Sequence, residues 1–272
     1  MSAIREDLQA LFRCRYVIQN LVTTQLKLRY HRSVLGICWT LLNPLLLLAV
    51  QAIAFSQILG INIRTYALYL LSGLILWHFF SLAIDQSSRT LMSNEGLIRV
   101  VPTPKFVFPL SDVLVSLVHS GFALAAFFVL VPVFGGTFHV QLVLLPAGIV
   151  LLAIFTFGLA LVTMTLMTMF RDFAHIIGVL MTAWYFASPI LYPPDLITRF
   201  RFLLRGNPLS YYLEFFHDAL SPMSAVAPDP GTLGGIWPPA STWIAAALCS
   251  AASLVIGYWT YKRFEDEYIF HL

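Results

Sequence analysis

Charge is scarce in this 272-residue chain: Asp, Glu, Lys and Arg make up 11% of it, against 59% apolar residues. A soluble domain carries roughly a quarter charged residues, so a water-exposed surface around this composition is excluded, as are disordered and collagenous classes. Cysteine is nearly absent. Cys14, Cys38 and Cys249 stand far apart, which excludes a disulfide framework and any zinc-type ligand spacing. Lysine is rarer than arginine, and none of Lys27, Lys105 and Lys262 follows a glycine. The Gly-Lys-Ser/Thr of a phosphate loop is therefore missing, and the chain does not hydrolyse ATP by that route. There is no His-Glu-x-x-His for zinc, and Ser72-Gly73 lacks the preceding Gly-x of an intramembrane serine protease. No catalytic residue, metal or cofactor is expected in the chain itself. A net charge of +3 is too weak to point to nucleic acid. The first fifteen residues carry charges throughout, without the continuous apolar core of a cleavable signal peptide.

What is present is long apolar sequence. Strand barrels show short alternating segments; here the runs are continuous, so the expected fold class is an all-α integral membrane protein. About 20 helical residues cross the hydrocarbon, and charge-free windows of that length or more lie at 33–63, 65–84, 113–170, 173–194 and 230–261. The third is too long for one crossing and divides at Pro132 and Gly135-Gly136. Six spans are expected, near 38–59, 66–84, 113–134, 142–168, 173–191 and 240–261. Basic residues gather on one side: Arg5, Arg13, Arg15, Lys27, Arg29, Arg32, Arg89, Arg99, Lys105, Arg171, Lys262 and Arg263, against Arg64, Arg199, Arg201 and Arg205 on the other. By the positive-inside rule both termini are cytoplasmic, in a multi-pass inner-membrane protein.

The whole of 1–272 reads as one transmembrane domain. Residues 1–32 form an amphipathic interface helix and a basic turn, with Ile4, Leu8, Leu11, Ile18 and Leu21 at helical spacing. A helix packed on a partner fits the same stripe. Residues 33–194 hold spans one to five, and 239–272 hold span six and the C-terminus. Residues 195–238 read as an external re-entrant segment, because 208–220 is apolar, too short to cross and bears Glu214 and Asp218. Asp85 and Asp112 are expected at span ends where water reaches them, His119 as a hydrogen-bonded packing residue, and Glu265-Asp266-Glu267 as a solvated terminus. Among 22 Phe, 11 Tyr and 6 Trp, Tyr66, Tyr69, Trp184 and Tyr185 are candidates to line a route on which aromatic faces stack against sugar rings; packing toward lipid is the alternative for each.

Four stretches carry a wider pattern: Lys27-Leu-Arg-Tyr-His-Arg-Ser-Val-Leu-Gly36 followed by Trp39 and Asn43-Pro44; Asn94-Glu-Gly-Leu-Ile-Arg99 leading to Pro104, Phe106 and Pro109; Phe170-Arg171-Asp172 with Ser188-Pro189-Ile-Leu-Tyr-Pro193; and Asn207-Pro208-Leu-Ser-Tyr-Tyr. Their order and spacing resemble the membrane subunit of type-2 ABC exporters for lipid-linked polysaccharides. The resemblance implies a homodimer served by two copies of a separate ATPase subunit, which binds the ATP and Mg. It implies that Asn94, Glu95, Leu97, Ile98 and Arg99 form a coupling helix, with Leu97 and Ile98 as the apolar plug. It implies that Lys27, Arg29, Arg32 and Gly36 receive the lipid's phosphate head, guanidinium forks matching phosphate oxygens. Anchoring to anionic lipid is the other reading of that basic cluster. It places Tyr211, Tyr212 and Phe215 at an external gate beside the emerging glycan. An exporter of a small lipid or drug shares the layout. A membrane enzyme handling polyprenyl phosphates would need an acidic or histidine constellation, which the sequence does not display.

Overall fold

The computed structural model describes residues 2–30, 38–101, 103–133, 138, 140–170, 172–194, 201–220 and 237–268. Among these there is helix and connecting turn and no strand. The helices are α1 (Ser2–Arg13), α2 (Arg15–Tyr30), α3 (Cys38–Leu59), α4 (Ile63–Ser93), α5 (Glu95–Val100), α6 (Val107–Val133), α7 (Leu144–Met169), α8 (Phe173–Ala187), α9 (Arg201–Gly206), α10 (Pro208–Leu220) and α11 (Ala240–Phe264), with a 3-10 turn at Val140–Val143 before α7. Each of the six apolar segments falls on a helix. Four are long and apolar enough to cross a membrane: Ile63–Ser93, Val107–Val133, Val140–Met169 and Ala240–Phe264. Leu45–Leu59 and Phe173–Ala187 are shorter apolar helices.

Two helices end elsewhere than the sequence suggests. α4 outruns the expected 66–84, because Asp85 and Arg89 end the uncharged run without ending the helix; they pair at 3.3 Å one turn apart on its surface. α8 stops at Ala187 rather than 191, because Pro189 has no N–H to give and disfavours helical backbone at Ser188.

α4 is the hub. It packs against α3, α6, α7, α8 and α10, and its buried face carries Tyr66, Tyr69, Leu70, Leu76 and Phe80. α7 and α11 make the closest helix contact. A Cβ on Gly257 would lie 2.1 Å from the Gly158 carbonyl oxygen, and one on Gly158 would lie 2.3 Å from the backbone of Ser253. Only glycine admits that approach, the small-residue solution that membrane helices use where lipid gives no hydrophobic push. The contact is sewn by hydroxyls: Ser253 Oγ donates to the Phe155 carbonyl at 2.7 Å, and Ser250 Oγ to the Leu151 carbonyl at 2.8 Å.

The N-terminal region is two helices broken by a turn at Cys14, although helical bonds persist across it (Cys14 N–H to Ala10, 2.8 Å; Ile18 N–H to Cys14, 2.9 Å). Part of its apolar stripe, Leu11, Ile18 and Leu21, packs on the bundle's own second core of Phe106, Phe108, Met164, Tyr261 and Tyr268. Phe12 and Tyr16 remain exposed. Asp7 joins Lys262 at 2.9 Å and accepts from the Tyr258 hydroxyl at 2.7 Å, so α1 is fastened to the end of α11. Glu265 is not simply solvated: it accepts from Tyr261 and Lys262. Lys105 donates to the Glu265 carbonyl at 2.6 Å beside the Tyr268 ring, and burial draws its pKa down, while burial pushes the Tyr268 phenol up to about 12.

Candidate functional site

Of the four basic-turn residues, Lys27 and Arg29 lie on α2; Arg32 and Gly36 fall outside the described residues. Lys27 is exposed. Arg29 is not simply a surface charge: its Nη1 meets His119 Nε2 at 3.3 Å. One turn earlier on the same face of α2, Gln25 Nε2 donates to Asp112 Oδ1 at 2.8 Å. Both partners belong to α6, and both are buried, His119 to 2% exposure and Asp112 to 3%. Asp112 is thus not at a wet span end, as its position in the sequence suggests, but beneath Gln25. Asp85 does face water.

The third wall of this seam is α4. His78 lies within electrostatic range of both Arg29 and His119. Near the other end, Thr90 sits close enough to interact with the Asp112 carboxylate, and Gln86 lies one turn before Thr90 on the same helix face. Gln86 Oε1 is buried with no hydrogen-bond partner among the described residues, and Thr90 Oγ1 and Asp112 Oδ2 have only each other within reach. The α2–α4–α6 junction is therefore polar along its length, with nitrogen bases at one end and oxygen acceptors at the other.

α5 is a separate feature. Asn94 ends α4 by donating its N–H and Nδ2 back to Thr90, the Nδ2 at 2.8 Å, and its carbonyl starts α5 by accepting from Leu97 and Ile98. Glu95 and Arg99 pair at 2.8 Å along the short helix. Leu97 points outward at 38% exposure, and Val100, which sequence reasoning passed over, at 79%. Ile98 turns inward onto the Phe106–Tyr261 cluster. The outward apolar pair is thus Leu97 and Val100, with Ile98 as the root holding α5 to the bundle.

The aromatic candidates separate by burial. Pro189, Pro193 and Pro194 leave carbonyls after α8 without helical donors, and α4 supplies them. The Tyr66 hydroxyl donates to the Leu191 carbonyl at 2.6 Å, and the Tyr69 hydroxyl lies 2.8 Å and 3.0 Å from the Pro189 and Tyr192 carbonyls. Tyr212 is buried against Ala246 and Ser250, and Phe215 against Trp243 at 4.5 Å between ring centroids. Trp184, Tyr185 and Tyr211 are half-buried. Trp184 donates to Asn207 at 2.8 Å, Tyr185 pairs with Gln51 at 3.0 Å, and Tyr211 donates to the Arg205 carbonyl at 2.7 Å. Asn207 also donates to Ser188 and Ala187, which fixes α10 to the end of α8.

The stretch from α2 to α10 that contains these features coincides with a known family. The model for the ABC-2 type transporter matches residues 16–220. The chain belongs to that family. Its relatives include the O-antigen export system permease protein RfbA of Myxococcus xanthus, 31% identical over 230 residues, covering 80% of this chain and 88% of the relative. A protein of the same name from Klebsiella pneumoniae is 30% identical over 220 residues, covering 79% and 83%. The polysialic acid transport protein KpsM of Escherichia coli is 24% identical over 219 residues, covering 76% and 82%. As an ABC-2 chain it is a membrane transport subunit, and the basic turn, α5 and the Asn207 junction all fall within the matched region.

His78, Gln25, Gln86 and Thr90 are the seam residues that sequence reasoning missed, while Asp112 and His119 were read only as a span-end carboxylate and a packing residue. Their one signal was polarity inside or near an apolar window, which gives no partner until the helix register is known.

Proposed function

We propose that this chain is the membrane-spanning subunit of an ATP-driven exporter that moves a lipid-linked, O-antigen-like polysaccharide across the cytoplasmic membrane. The observation that carries the reading is the match to RfbA proteins over about four-fifths of the chain. Two copies of the chain form the conduit, and two copies of a separate ATPase subunit bind ATP and Mg. Six spans (α3, α4, α6, α7, α8 and α11) cross the membrane with both termini cytoplasmic, which the basic residues near α1, α2, α5 and the end of α11 support. α9 and α10 form a re-entrant element at the outer face, closing between Tyr211 and the half-buried Trp184 and Tyr185.

On this reading α5 is the coupling helix. Leu97 and Val100 fill an apolar groove of the ATPase, Glu95 and Arg99 flank it, and Ile98 passes the motion into the cluster that also holds α2 and α11. The phosphate head of the lipid approaches from the cytoplasmic leaflet beside Lys27, Arg29, Arg32 and Gly36. The test is deletion and complementation. Loss of the gene removes surface polysaccharide and leaves lipid-linked glycan inside the cell, and the wild-type chain with its ATPase restores export. Surface polysaccharide that survives deletion defeats the reading.

A further inference from the structure

The strongest unexplained feature is the chemistry of the α2–α4–α6 seam. Within a membrane bundle, buried ionisable groups are costly, and they mark function when they gather. Here an exposed guanidinium reaches a buried imidazole, Arg29 Nη1 lying 3.3 Å from His119 Nε2, and the half-buried His78 lies within electrostatic range of both. Seven residues earlier on α6, about 10 Å along the helix, the character reverses. Gln86 Oε1 is a buried acceptor without a donor among the described residues, and Asp112 Oδ2 has only the Thr90 hydroxyl within reach; an unmet buried acceptor costs on the order of its full desolvation penalty. The guanidinium, which can only donate, calls for an anion with several oxygens. Oxygen acceptors call for a group rich in hydroxyls. On the orientation proposed above, the nitrogen end lies deeper in the membrane and the oxygen end faces the cytoplasm.

We propose that this seam is a binding site for the phosphate–sugar junction of a lipid-linked glycan, with Arg29, His78 and His119 holding the phosphate and Gln86, Thr90 and Asp112 accepting from hydroxyls of the first sugar. The order along the seam matches that of such a molecule, which runs from lipid through phosphate to sugar as it leaves the membrane. α2 closes the seam in this structure through two side-chain contacts, Gln25 to Asp112 and Arg29 to His119. The occupant replaces both kinds, since a hydroxyl donates to Asp112 as the Gln25 amide does, and a phosphate oxygen accepts from Arg29 in place of His119. The inference rests on the lipid-linked-polysaccharide reading and adds to it the residues that read the substrate's reducing end.

The test is equilibrium binding to the full chain in phosphatidylcholine nanodiscs. The probes are a short-chain polyprenyl diphosphate bearing one N-acetylhexosamine, the same lipid without sugar, and inorganic pyrophosphate. The sugar-bearing lipid is expected to bind most tightly. His119→Gln weakens both lipids about tenfold or more, and His78→Gln, a half-buried change that keeps the fold if His119→Gln does not, weakens both in the same way. Asp112→Asn keeps the shape, weakens the sugar-bearing lipid several-fold and leaves the bare lipid unchanged. Arg89→Gln, a surface arginine away from the seam, changes neither. Wild-type affinity in both histidine variants overturns the phosphate site. An equal loss for both lipids in Asp112→Asn overturns the sugar contact. Equal affinity for inorganic pyrophosphate and lipid overturns the lipid assignment in favour of free phosphate. In cells, export at wild-type level by both histidine variants defeats this site alone, whereas polysaccharide that survives deletion of the chain defeats the export reading beneath it.

Discussion

The α7–α11 contact and the α2–α6 contact join helices on opposite terms. In the first, two glycines bring backbones together and each bridging serine hydroxyl has a carbonyl to donate to, at 2.7 Å and 2.8 Å. In the second, long polar side chains span the gap, and a buried carboxylate oxygen at its centre has only the Thr90 hydroxyl within reach. Close packing with every group satisfied has one good arrangement and resists sliding. A contact made of side-chain tips, with acceptors to spare, has several arrangements of similar energy. The first suits a fixed frame and the second a part that moves or binds, so the helices beside the polar seam are where transport-linked change belongs.

The largest effect comes from attacking the frame. Gly257→Leu drives a side chain into the Gly158 carbonyl, where overpacking costs about 1–3 kcal/mol or more. Folded protein recovered from membranes should fall sharply, with early thermal unfolding of what remains. A near-normal melting curve would show that the frame is as pliable as the seam.

Leu97→Asp leaves both contacts intact and tests the coupling role proposed for α5. Its carboxylate in an apolar groove costs on the order of a few kcal/mol. The variant should insert and melt like wild type, yet lose co-purifying ATPase and export. Val100→Asp should do the same and Glu95→Gln much less, which separates the outward apolar pair from its polar flank.

Gln25→Ala loosens the seam. It strips Asp112 of the donor given by Gln25, a loss of about 1–3 kcal/mol where a buried group is left unmet. Limited trypsin digestion should then cut at Lys27 and Arg29 several-fold faster, with the α7–α11 region as protected as before. Unchanged cutting would mean that α2 is held chiefly by its apolar contacts.

Arg29→Lys is a finer probe. Lysine serves the positive-inside rule as well as arginine but lacks the planar fork. Partial loss of export with normal topology supports phosphate recognition, and full export supports lipid anchoring. The smallest change is Ser253→Ala, which removes one interhelical bond. Such bonds average about 0.6 kcal/mol in membrane bundles, so its melting temperature should shift slightly and export should persist.

Much of this architecture was legible because a bilayer demands long uncharged runs. All six apolar segments are helices, and Asn94–Arg99 and 208–220 coincide with α5 and α10. Helix ends were less legible. Asp85 and Arg89 mark where the uncharged run stops, not where hydrogen bonding stops, so α4 continues past them. The site was the least legible. Arg29 could be picked out by its position, but its neighbour His119 is 90 positions away, and only the register between α2 and α6 brings the two together. Tyr66 and Tyr69 carried the reverse ambiguity. Their rings suit a sugar, yet their hydroxyls cap carbonyls that the prolines after α8 leave open, a demand visible only when α4 and that turn are seen side by side.

The knot between Asp7 and the end of α11 also bears on how the protein is made. Asp7 and Tyr258 are 251 positions apart, so α1 leaves the ribosome long before its dock exists. At about 5–20 residues per second, roughly 13–50 s separate the two. During that interval α2 can already meet α6 through Gln25 and Arg29, while Asp7 still lacks both Tyr258 and Lys262. Arrival of the last helix supplies both partners at once, so this contact between the two ends of the described bundle closes after those among the earlier helices.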